Sequence, residues 1–385
     1  MKTQLSALIL VLFMASLVSA DCPVGDLNRD CLVNFYDFAS LAVNWLEVEP
    51  NLPFGLVVIN EVMAHSHAGE PDWIELYNTS GSMVDISNWY LSDSDSPLTK
   101  YKIPNGTTIP TNGYIVFYQY QHFGVDHGNN VPFALSENGE SVYLSFPDIT
   151  SNPKHVCDDI KFDASETGVS FGRYITSTGD VKFTAMDSNT PGQPNTYPKI
   201  GPIVINEIMY DPYEGSDAEY IELHNIEDYP VPLRVYDPCT EGYVPWIFTQ
   251  GPNFSFDSPN DVNIPANGYL IVARNTSEFT STYGSMPPGV QVLGPFANST
   301  KLSNDGENVE ISVPGDLDPC EPEVRYYIRI DNVRYSDGSH HQDFPGLDPW
   351  PKGPDNDGEA LYRIDPALYG DDVNNWQAGE ATPGY

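Results

Sequence analysis

Residues 57–63 read VVINEVM and residues 203–209 read IVINEIM, and this recurrence decides the fold. Four further stretches recur in the same order: WIELYN at 73–78 and YIELHN at 220–225, IPTNGYIV at 109–116 and IPANGYLI at 264–271, LSENGE at 135–140 and LSNDGE at 302–307, and TPG at 190–192 and 382–384. Five ordered matches indicate a duplication rather than chance. The chain is therefore predicted to contain two copies of one domain.

The recurring stretches have the composition of strands that alternate with turns. β-branched and aromatic residues cluster in YIVFY at 114–118, SVYLSF at 141–146 and NVEISV at 308–313. Residues that tolerate positive φ precede these strands: Asn112-Gly113, Asn138-Gly139, Asn267-Gly268 and Asp305-Gly306. Repeated hairpins without helices predict two sheets packed face to face in each copy.

The second copy is longer than the first. The spacing between matched residues grows along the chain, and the added residues fall mainly between Leu233 and Asn263 and between Gly315 and Arg329. Their Pro, Gly and Asp content predicts surface loops. Each insertion carries one cysteine, Cys239 or Cys320, and a bridge between these two would join the loops.

Taken together, the five repeated motifs resemble the lamin tail domain, an immunoglobulin-like β-sandwich also found in many secreted bacterial proteins. The resemblance covers most of residues 55–196 and 201–385, which we take as the two domain boundaries, with a short stiff linker at 194–202. It implies a structural or interaction module and brings no shared catalytic residues. The expected fold class is mostly β: two tandem immunoglobulin-like, lamin-tail-type sandwiches preceded by a short helical calcium-loop segment.

The N-terminus has the pattern of a secretory signal peptide, residues 1–20. Lys2 precedes an apolar run from Leu5 to Val18, and Ala20 ends a small-residue cleavage pattern. A retained membrane anchor and a lipid-modified Cys22 are the less favoured alternatives. We therefore expect a secreted protein, extracellular or held at the cell surface, without membrane insertion after signal removal.

The charge of the chain restricts its partners. A formal net charge of −37 repels phosphate backbones and anionic lipid, which argues against nucleic acid and membrane surfaces. It attracts calcium, although an acidic surface also simply suits a secreted protein. Five cysteines would meet an oxidising compartment: Cys22 and Cys31 could pair, as could Cys239 and Cys320, which would leave Cys157 over.

Ahead of the repeats, residues 26–37 have the spacing of a calcium-binding loop. Oxygen-bearing side chains stand at the first, third, fifth, ninth and twelfth places, and a backbone carbonyl is expected at the seventh. The predicted ligands are Asp26, Asn28, Asp30, Leu32, Asn34 and Asp37. The apolar residues that follow recur at three- and four-residue intervals, which predicts an amphipathic helix. The alternative is a turn capped by Asp and Asn side chains.

Residues 21–48 resemble one half of a dockerin, the secreted calcium-binding module that docks onto cohesin domains or surface scaffolds. Asp37 agrees with this resemblance, because dockerins use Asp at the twelfth place. Cys31 departs from it, because it stands where glycine normally permits a sharp turn, and a single loop is present where a full dockerin has two. The resemblance implies calcium as the cofactor and a cohesin-like or cell-surface protein as the partner.

Several motifs resemble those of enzymes but lack the surrounding structure that the chemistry needs. GVSFG at 168–172 matches the Gly-x-Ser-x-Gly nucleophile elbow, but a strand and a turn, not a helix, are expected after Ser170. Two groups of possible metal ligands occur: His65 with His67 and Asp72, and His340 with His341. Both are more simply explained as loop residues. The second copy has Asp211, Glu214 and Asp217 in place of the first group. Glu75 and Glu222 are interpreted as outward-facing strand residues.

The sequence thus favours a secreted, non-enzymatic modular protein for calcium-assisted docking, adhesion or cell-surface architecture, with a protein or a polysaccharide as partner. The runner-up from another class is a calcium-dependent secreted hydrolase, acting in polysaccharide degradation, whose site would lie in the insertions of the second copy. The genes that neighbour this one would discriminate the two, since scaffold genes favour docking.

Overall fold

Strands dominate both repeats in the computed structural model, which describes residues 54–128, 130–147, 155–213, 216–257, 261–317, 324–339, 348–354 and 358–385. Residues 54–385 form one compact unit by their internal contacts. The predicted signal peptide and the predicted calcium-loop segment, residues 21–48, lie outside the described residues. No helix in the described part of the chain is both long enough and apolar enough to cross a membrane.

The first repeat is built from two facing sheets. Its strands are β1 Val57–Met63, β2 Trp73–Asn78, β3 Val84–Asp85, β4 Tyr90–Ser92, β5 Tyr101–Lys102, β6 Thr108–Ile109, β7 Tyr114–Tyr118, β8 Glu140–Phe146, β9 His155–Phe162, β10 Phe171–Ile175 and β11 Val181–Ala185. One sheet has the order β11-β10-β1-β2-β7 and the other β5-β4-β8-β9, while β3 pairs with β6. Side chains from both sheets share one buried apolar cluster.

The second repeat follows the same plan with added elements. Its strands are β12 Ile203–Met209, β13 Tyr220–Asn225, β14 Val231–Pro232, β15 Arg234–Asp237, β16 Gly242–Pro245, β17 Ile247–Gln250, β18 Asn263–Ile264, β19 Tyr269–Ala273, β20 Gln291–Leu293, β21 Gly306–Leu317, β22 Arg325–Ser336, β23 Glu359–Arg363 and β24 Trp376–Glu380. The sheets are β20-β19-β13-β12-β23-β24 and β17-β21-β22, with two short pairs, β14-β18 and β15-β16. The helix α1 spans Thr276–Tyr283, and 3-10 turns span Ala297–Ser299 and Val373–Asn375.

The opening hairpin has the same register in both repeats. β1 pairs with β2 and β12 with β13 in antiparallel fashion, and each hairpin has a bulge at the same place, between Ile59 and Glu61 and between Ile205 and Glu207. The bulge lets the strand twist without losing the apolar face that it turns to the core. These features confirm the expected mostly β, immunoglobulin-like fold class.

An asparagine at the end of the second strand explains one of the repeated motifs. The Asn78 amide donates to the carbonyls of Ile109 and Pro110, at 3.0 and 2.9 Å. Asn225 makes the same two bonds, at 3.0 and 2.9 Å, to residues 264 and 265. Each buried amide donates to one carbonyl on a short strand and to one in the turn after it, so it ties the second strand to the turn before the next one.

The predicted turns are present. Asn112 and Asn267 have φ of 50° and 51°, and Gly139 and Gly306 have φ of 90° and 115°. At Gly306 an added Cβ would lie 2.5 Å from the carbonyl oxygen of Tyr335. Glycine is therefore needed there both for its backbone conformation and for the close approach of the neighbouring strand.

The insertions of the second repeat are more ordered than predicted. We expected surface loops, but residues 234–245 form the β15–β16 hairpin, and β21 and β22 extend as paired strands into the second insertion as far as Leu317 and Arg325. In the hairpin the Arg234 guanidinium lies 4.0 Å from the ring centre of Tyr243. This contact and the β-forming residues around it outweigh the turn-forming residues on which the expectation rested.

A third layer covers the outer face of the larger sheet in the second repeat. It contains α1, whose N-terminus is capped by the Asn275 side chain, and it buries Phe279 against Met209, Tyr220 and Ile271. This addition lies between β19 and β20, outside the two insertions that the sequence spacing emphasised.

Polar contacts join the two repeats. The backbone N–H of Ser177, in the turn after β10, donates to the Asp372 carboxylate at 2.8 Å, and Arg329 pairs with Asp163 at 2.8 Å. Lys182 on β11 pairs with Asp371 at 2.5 Å. Each repeat keeps its own apolar core. The boundaries 55–196 and 201–385 stay predictions.

Candidate functional site

The predicted calcium ligands Asp26, Asn28, Asp30, Leu32, Asn34 and Asp37 lie outside the described residues. Within the described ranges, no group of three or more His, Cys, Asp or Glu side chains is arranged to hold a metal ion. The calcium site therefore stays a prediction from the sequence.

Two buried glutamates on neighbouring strands of the first repeat hold its closing segment. Glu61 and Glu75 are fully buried and lie opposite each other across β1 and β2. Glu61 accepts hydrogen bonds from the Thr190 N–H at 3.1 Å and the Thr190 hydroxyl at 2.7 Å. Glu75 accepts from the Gly192 N–H and from the Asn60 amide at 2.8 Å. We name this arrangement of two glutamates and a Thr-Pro-Gly turn the carboxylate latch.

The second repeat has the same latch. Glu207 accepts from the Thr382 N–H at 2.9 Å and from its hydroxyl at 3.3 Å. Glu222 accepts from the Gly384 N–H at 2.6 Å and from the Asn206 amide at 2.7 Å. The recurring Asn-Glu, Ile-Glu-Leu and Thr-Pro-Gly motifs are thus parts of one hydrogen-bonded unit in each repeat.

The latch corrects the interpretation of Glu75 and Glu222. Strand alternation does turn them away from the core, but residues 190–192 and 382–384 cover them, so neither is exposed to solvent. Burial, with a smaller contribution from the neighbouring glutamate, raises the pKa of Glu75 to about 7 and that of Glu222 to about 8. Burial also raises the pKa of Glu61 and Glu207.

Ser170 is part of the first latch. Its hydroxyl is fully buried and donates to Glu61 at 2.5 Å, and in the second repeat the Tyr220 hydroxyl takes this place by donating to Glu207 at 2.7 Å. β10 begins directly after Ser170 and leads through a turn into β11. The strand–turn–helix context of a nucleophile elbow is therefore not present at residues 168–172.

The histidines and acids of the first loop take up separate hydrogen bonds. His65 Nδ1 lies 3.0 Å from the Ser165 carbonyl, and its Nε2 lies 3.3 Å from Glu137. Asp72 accepts from the Ser66 N–H at 3.1 Å, and His67 is exposed. These contacts hold the loop side chains in place, and the interpretation of them as loop residues rather than metal ligands stays a prediction.

The corresponding acids of the second repeat are also engaged in local contacts. Asp211 accepts from the Asn304 amide at 2.5 Å, and Asp217 pairs with Arg274 at 3.0 Å. Glu214, His340 and His341 lie outside the described residues.

One ion pair in each repeat, fully buried in the second and partly buried in the first, was not predicted from the sequence. Arg363 pairs with Asp331 at 2.6 Å, and Asp331 also accepts from the Ile205 N–H at 2.8 Å. Arg173 and Asp158 occupy the same places in the first repeat, at 2.5 Å. Both pairs satisfy the backbone at the bulge. The signal was weak, because Asp and Arg stand 15 residues apart in one copy and 32 in the other.

The described cysteines are not bridged to each other. Cys239 is exposed and free, whereas the sequence suggested a bridge from it to Cys320. Cys22, Cys31 and Cys320 lie outside the described residues. The Cys157 thiol donates to the Val57 carbonyl at 3.5 Å, and burial raises its pKa to about 11. A raised pKa keeps this thiol protonated and unreactive.

A polar groove of about 890 Å³ lies where the two repeats meet. Asp180 and Lys182 from the first repeat line one side, and Asn308, Arg334 and Trp350 from the second line the other. Charged groups of both signs, amides and aromatic rings, here those of Tyr335 and Trp350, are the groups that bind polar ligands such as sugars.

The comparison with known proteins agrees with the fold of the first repeat. Residues 52–151 match the model of the Lamin Tail Domain family, and this match includes β1 to β8. No curated protein matches the chain significantly.

Proposed function

We propose that the chain is a secreted, non-enzymatic interaction protein in which two lamin-tail-like sandwiches act in adhesion or cell-surface architecture and a calcium loop assists docking. The observation that carries the proposal is the lamin tail domain match on an immunoglobulin-like sandwich, which suggests a structural or interaction module. The assignment of the second repeat to the same family is part of the proposal. Its support is the shared register, bulge and carboxylate latch.

The hydrogen bonds of the reactive-looking side chains support the non-enzymatic role. Ser170 and the four latch glutamates belong to residue types that serve in catalysis, but here they are buried and hold the closing turns. In the first insertion of the second repeat, where a hydrolase would have its site, Asp237 accepts from the Cys239 N–H at 2.8 Å and pairs with Arg325. Side chains engaged in this way are poorly placed to attack a substrate.

Calcium enters the proposal through the sequence alone. Residues 26–37 supply the ligand spacing, and three carboxylates without a cation would repel one another. Calcium removes this repulsion and allows the following helix to present its apolar side to a cohesin-like or cell-surface partner. The groove between the repeats is the proposed place for a polysaccharide.

Titration calorimetry on the chain from Asp21 onward tests the calcium site. We expect one calcium ion to bind with a dissociation constant of about 10⁻⁴ M or tighter. The variant Asp26→Ala with Asp30→Ala should lose this binding. Glu278→Ala, which removes an exposed carboxylate of α1, is the matched control and should leave it unchanged.

A capture experiment tests the docking role. Secreted and surface proteins of the same organism are passed over the immobilised chain in calcium and then in chelator. We expect a partner that elutes with chelator and is not retained by the Asp26→Ala, Asp30→Ala variant. Calcium binding without any such partner would contradict the docking role, and absence of calcium binding would leave residues 26–37 as a capped turn.

A further inference from the structure

The two repeats differ at one sheet edge. In the second repeat β20 pairs in parallel with β19, with Leu270 opposite Gln291 and Val272 opposite Leu293. In the first repeat the equivalent strand, β7, is the last strand of its sheet. A sheet edge of this kind offers unpaired backbone groups to an added strand.

The equivalence of β7 and β19 rests on matching contacts. Both strands pair with the second strand of their repeat, and both follow the Ile-Pro-x-Asn-Gly turn. The Tyr114 ring stacks on Tyr77 at 4.7 Å, and the Tyr269 ring stacks on His224 at 4.4 Å. The described residues therefore differ at two equivalent strands: β19 has β20 as a neighbour, and β7 has no strand in that place.

Strand alternation shows which backbone groups of β7 face the open edge. The Gly113 carbonyl accepts from Asn78, and the Gln119 N–H donates to Asp72, so odd-numbered residues face β2. The N–H and C=O groups of Tyr114 and Val116 then point outward. Within the described ranges no backbone partner reaches these groups.

The side chains agree with an open edge. Ile115 and Val116 are partly exposed, whereas the matching Leu270 and Ile271 are fully buried beside β20. The segment before Pro132 does not pair with β7. Its Val131 N–H donates to the Lys100 carbonyl at 2.8 Å, beside β5 of the facing sheet. Among the described residues, none pairs with the open edge of β7.

A cavity of about 360 Å³ lies beyond the C-terminal end of β7. It is lined by Lys102, His122 and His127, and also by Tyr101 and several amide side chains. His122 joins the cavity to the strand, because its Nδ1 accepts from the Tyr118 N–H at 2.8 Å. No carboxylate of the described residues lines this cavity. Lys102 supplies a positive charge to the cavity, and burial lowers the pKa of His122, so its ring offers a neutral N–H donor. An acidic group is the ligand that suits this local set of donors.

We propose that β7 binds an extended peptide segment of a partner by parallel strand addition, with an Asp or Glu of that segment entering the Lys102–His122–His127 cavity. Main-chain hydrogen bonds to Tyr114 and Val116 supply affinity, and the cavity supplies specificity. β20 shows within this chain that such an edge accepts an apolar segment in parallel. A second copy is disfavoured, because two chains of charge −37 repel each other. The site needs no calcium and so goes beyond the proposed docking.

The probe is a fluorescein-labelled peptide with the sequence of residues 288–293 followed by two aspartates, and its anisotropy is measured with the full chain. In parallel orientation the aspartates reach the cavity. We expect saturable binding that is equal in calcium and in chelator. An otherwise identical peptide with two asparagines should bind about tenfold more weakly, as expected for loss of a charged contact.

Two variants locate the site. Val116→Pro removes an outward N–H, and we expect at least about tenfold weaker binding. Val181→Pro makes the same change on β11, the opposite edge of the same sheet, and should leave binding unchanged. Lys102→Glu, an exposed residue, should weaken binding of the acidic peptide but not of the asparagine peptide, and it keeps the test valid if Val116→Pro unfolds the protein.

The outcomes that overturn the proposal are distinct from those that overturn calcium docking. Equal binding by the protein and by its Val116→Pro and Lys102→Glu variants would place the peptide elsewhere. If the peptide does not bind, the edge is not a peptide-binding site. If light scattering shows a dimer that Val116→Pro dissociates, the occupant of the edge is a second copy of the chain. Neither result depends on calcium.

Discussion

The two repeats share their buried polar groups and differ at their surfaces. Both keep the carboxylate latch, the amide at the end of the second strand and the ion pair at the bulge. In the part of the chain that the structure describes, α1, β20 and the β15–β16 hairpin occur in the second repeat alone. A duplicated sandwich can therefore change its outer layers and edges, whereas each buried polar group must keep its partners because an unpaired one is costly.

The largest expected contrast concerns the ion pairs. The side chains of Arg363 and Asp331 are 0% and 5% exposed, but those of Arg173 and Asp158 are 20% and 17% exposed. Removing one partner of a fully buried pair leaves an uncompensated charge. We expect Asp331→Ala to lower the free energy of unfolding by about 3–5 kcal/mol, and Asp158→Ala by less, because solvent reaches Arg173.

Urea unfolding of the two variants checks this contrast. Asn replacements at the same positions serve as controls, because they retain an acceptor for the bulge N–H. Equal losses in Asp331→Ala and Asp158→Ala would show that the difference in burial has no energetic effect.

The next contrast is a pH dependence of the two latches. A free glutamate ionises near 4.5, but the folded pKa is about 7 for Glu75 and about 8 for Glu222. Above pH 4.5 the unfolded chain releases a proton that the folded chain retains. Each group thus contributes stability that is complete below pH 4.5 and is lost as pH rises through the folded pKa.

We expect the free energy of unfolding to fall between pH 5 and pH 9 by an amount on the order of a few kcal/mol. Glu222→Ala should be less stable than the parent at pH 5 and should have a shallower fall up to pH 9. Glu75→Ala should show the same effect with its change completed at lower pH. Thermal unfolding from pH 5 to pH 9 measures the stability of the parent and of both variants. If the three pH profiles are parallel, Glu75 and Glu222 are not the source of the pH dependence.

The smallest contrast concerns the hydroxyl donors of the latches. Ser170→Ala and Tyr220→Phe each remove one donor to a buried glutamate, and we expect a loss of about 1–3 kcal/mol in either case. Ser170 is thus a structural residue of the first latch, because its hydroxyl donates to Glu61.

Thermal unfolding measures the Ser170→Ala effect, and Thr167→Ala, at an exposed neighbour, is its control. We expect no ester, phosphodiester or glycoside hydrolysis by the parent chain. Turnover that disappears in Ser170→Ala would support the hydrolase alternative.

The sequence predicted the fold because strand periodicity and turn chemistry are local. The Asn112 and Gly139 turns and the Ile74–Leu76 alternation each follow from adjacent residues. The latch was not predicted, because it depends on residues 190–192 folding back over Glu61 and Glu75, more than one hundred residues earlier. The pattern Ile-Glu-Leu shows on which side a glutamate lies but not what covers that side.

The open β7 edge was also beyond prediction, for a different reason. Pairing at an edge depends on where a distant segment runs, and Gln291–Leu293 is too short to have a strand signal of its own. The calcium ligands are the reverse case: Asp26 to Asp37 are contiguous, so their spacing is visible in the sequence.

The polar contacts at the junction have a mechanical meaning. The Tyr369 N–H donates to the Tyr197 hydroxyl at 2.9 Å, and Asp371 and Asp372 hold the β10–β11 hairpin of the other repeat. These bonds connect the two sandwiches independently of the linker, and the sandwiches should therefore tumble in solution as one body. A pull applied to either sandwich would be transmitted through these side chains, so a partner attached to one repeat sets the orientation of the other.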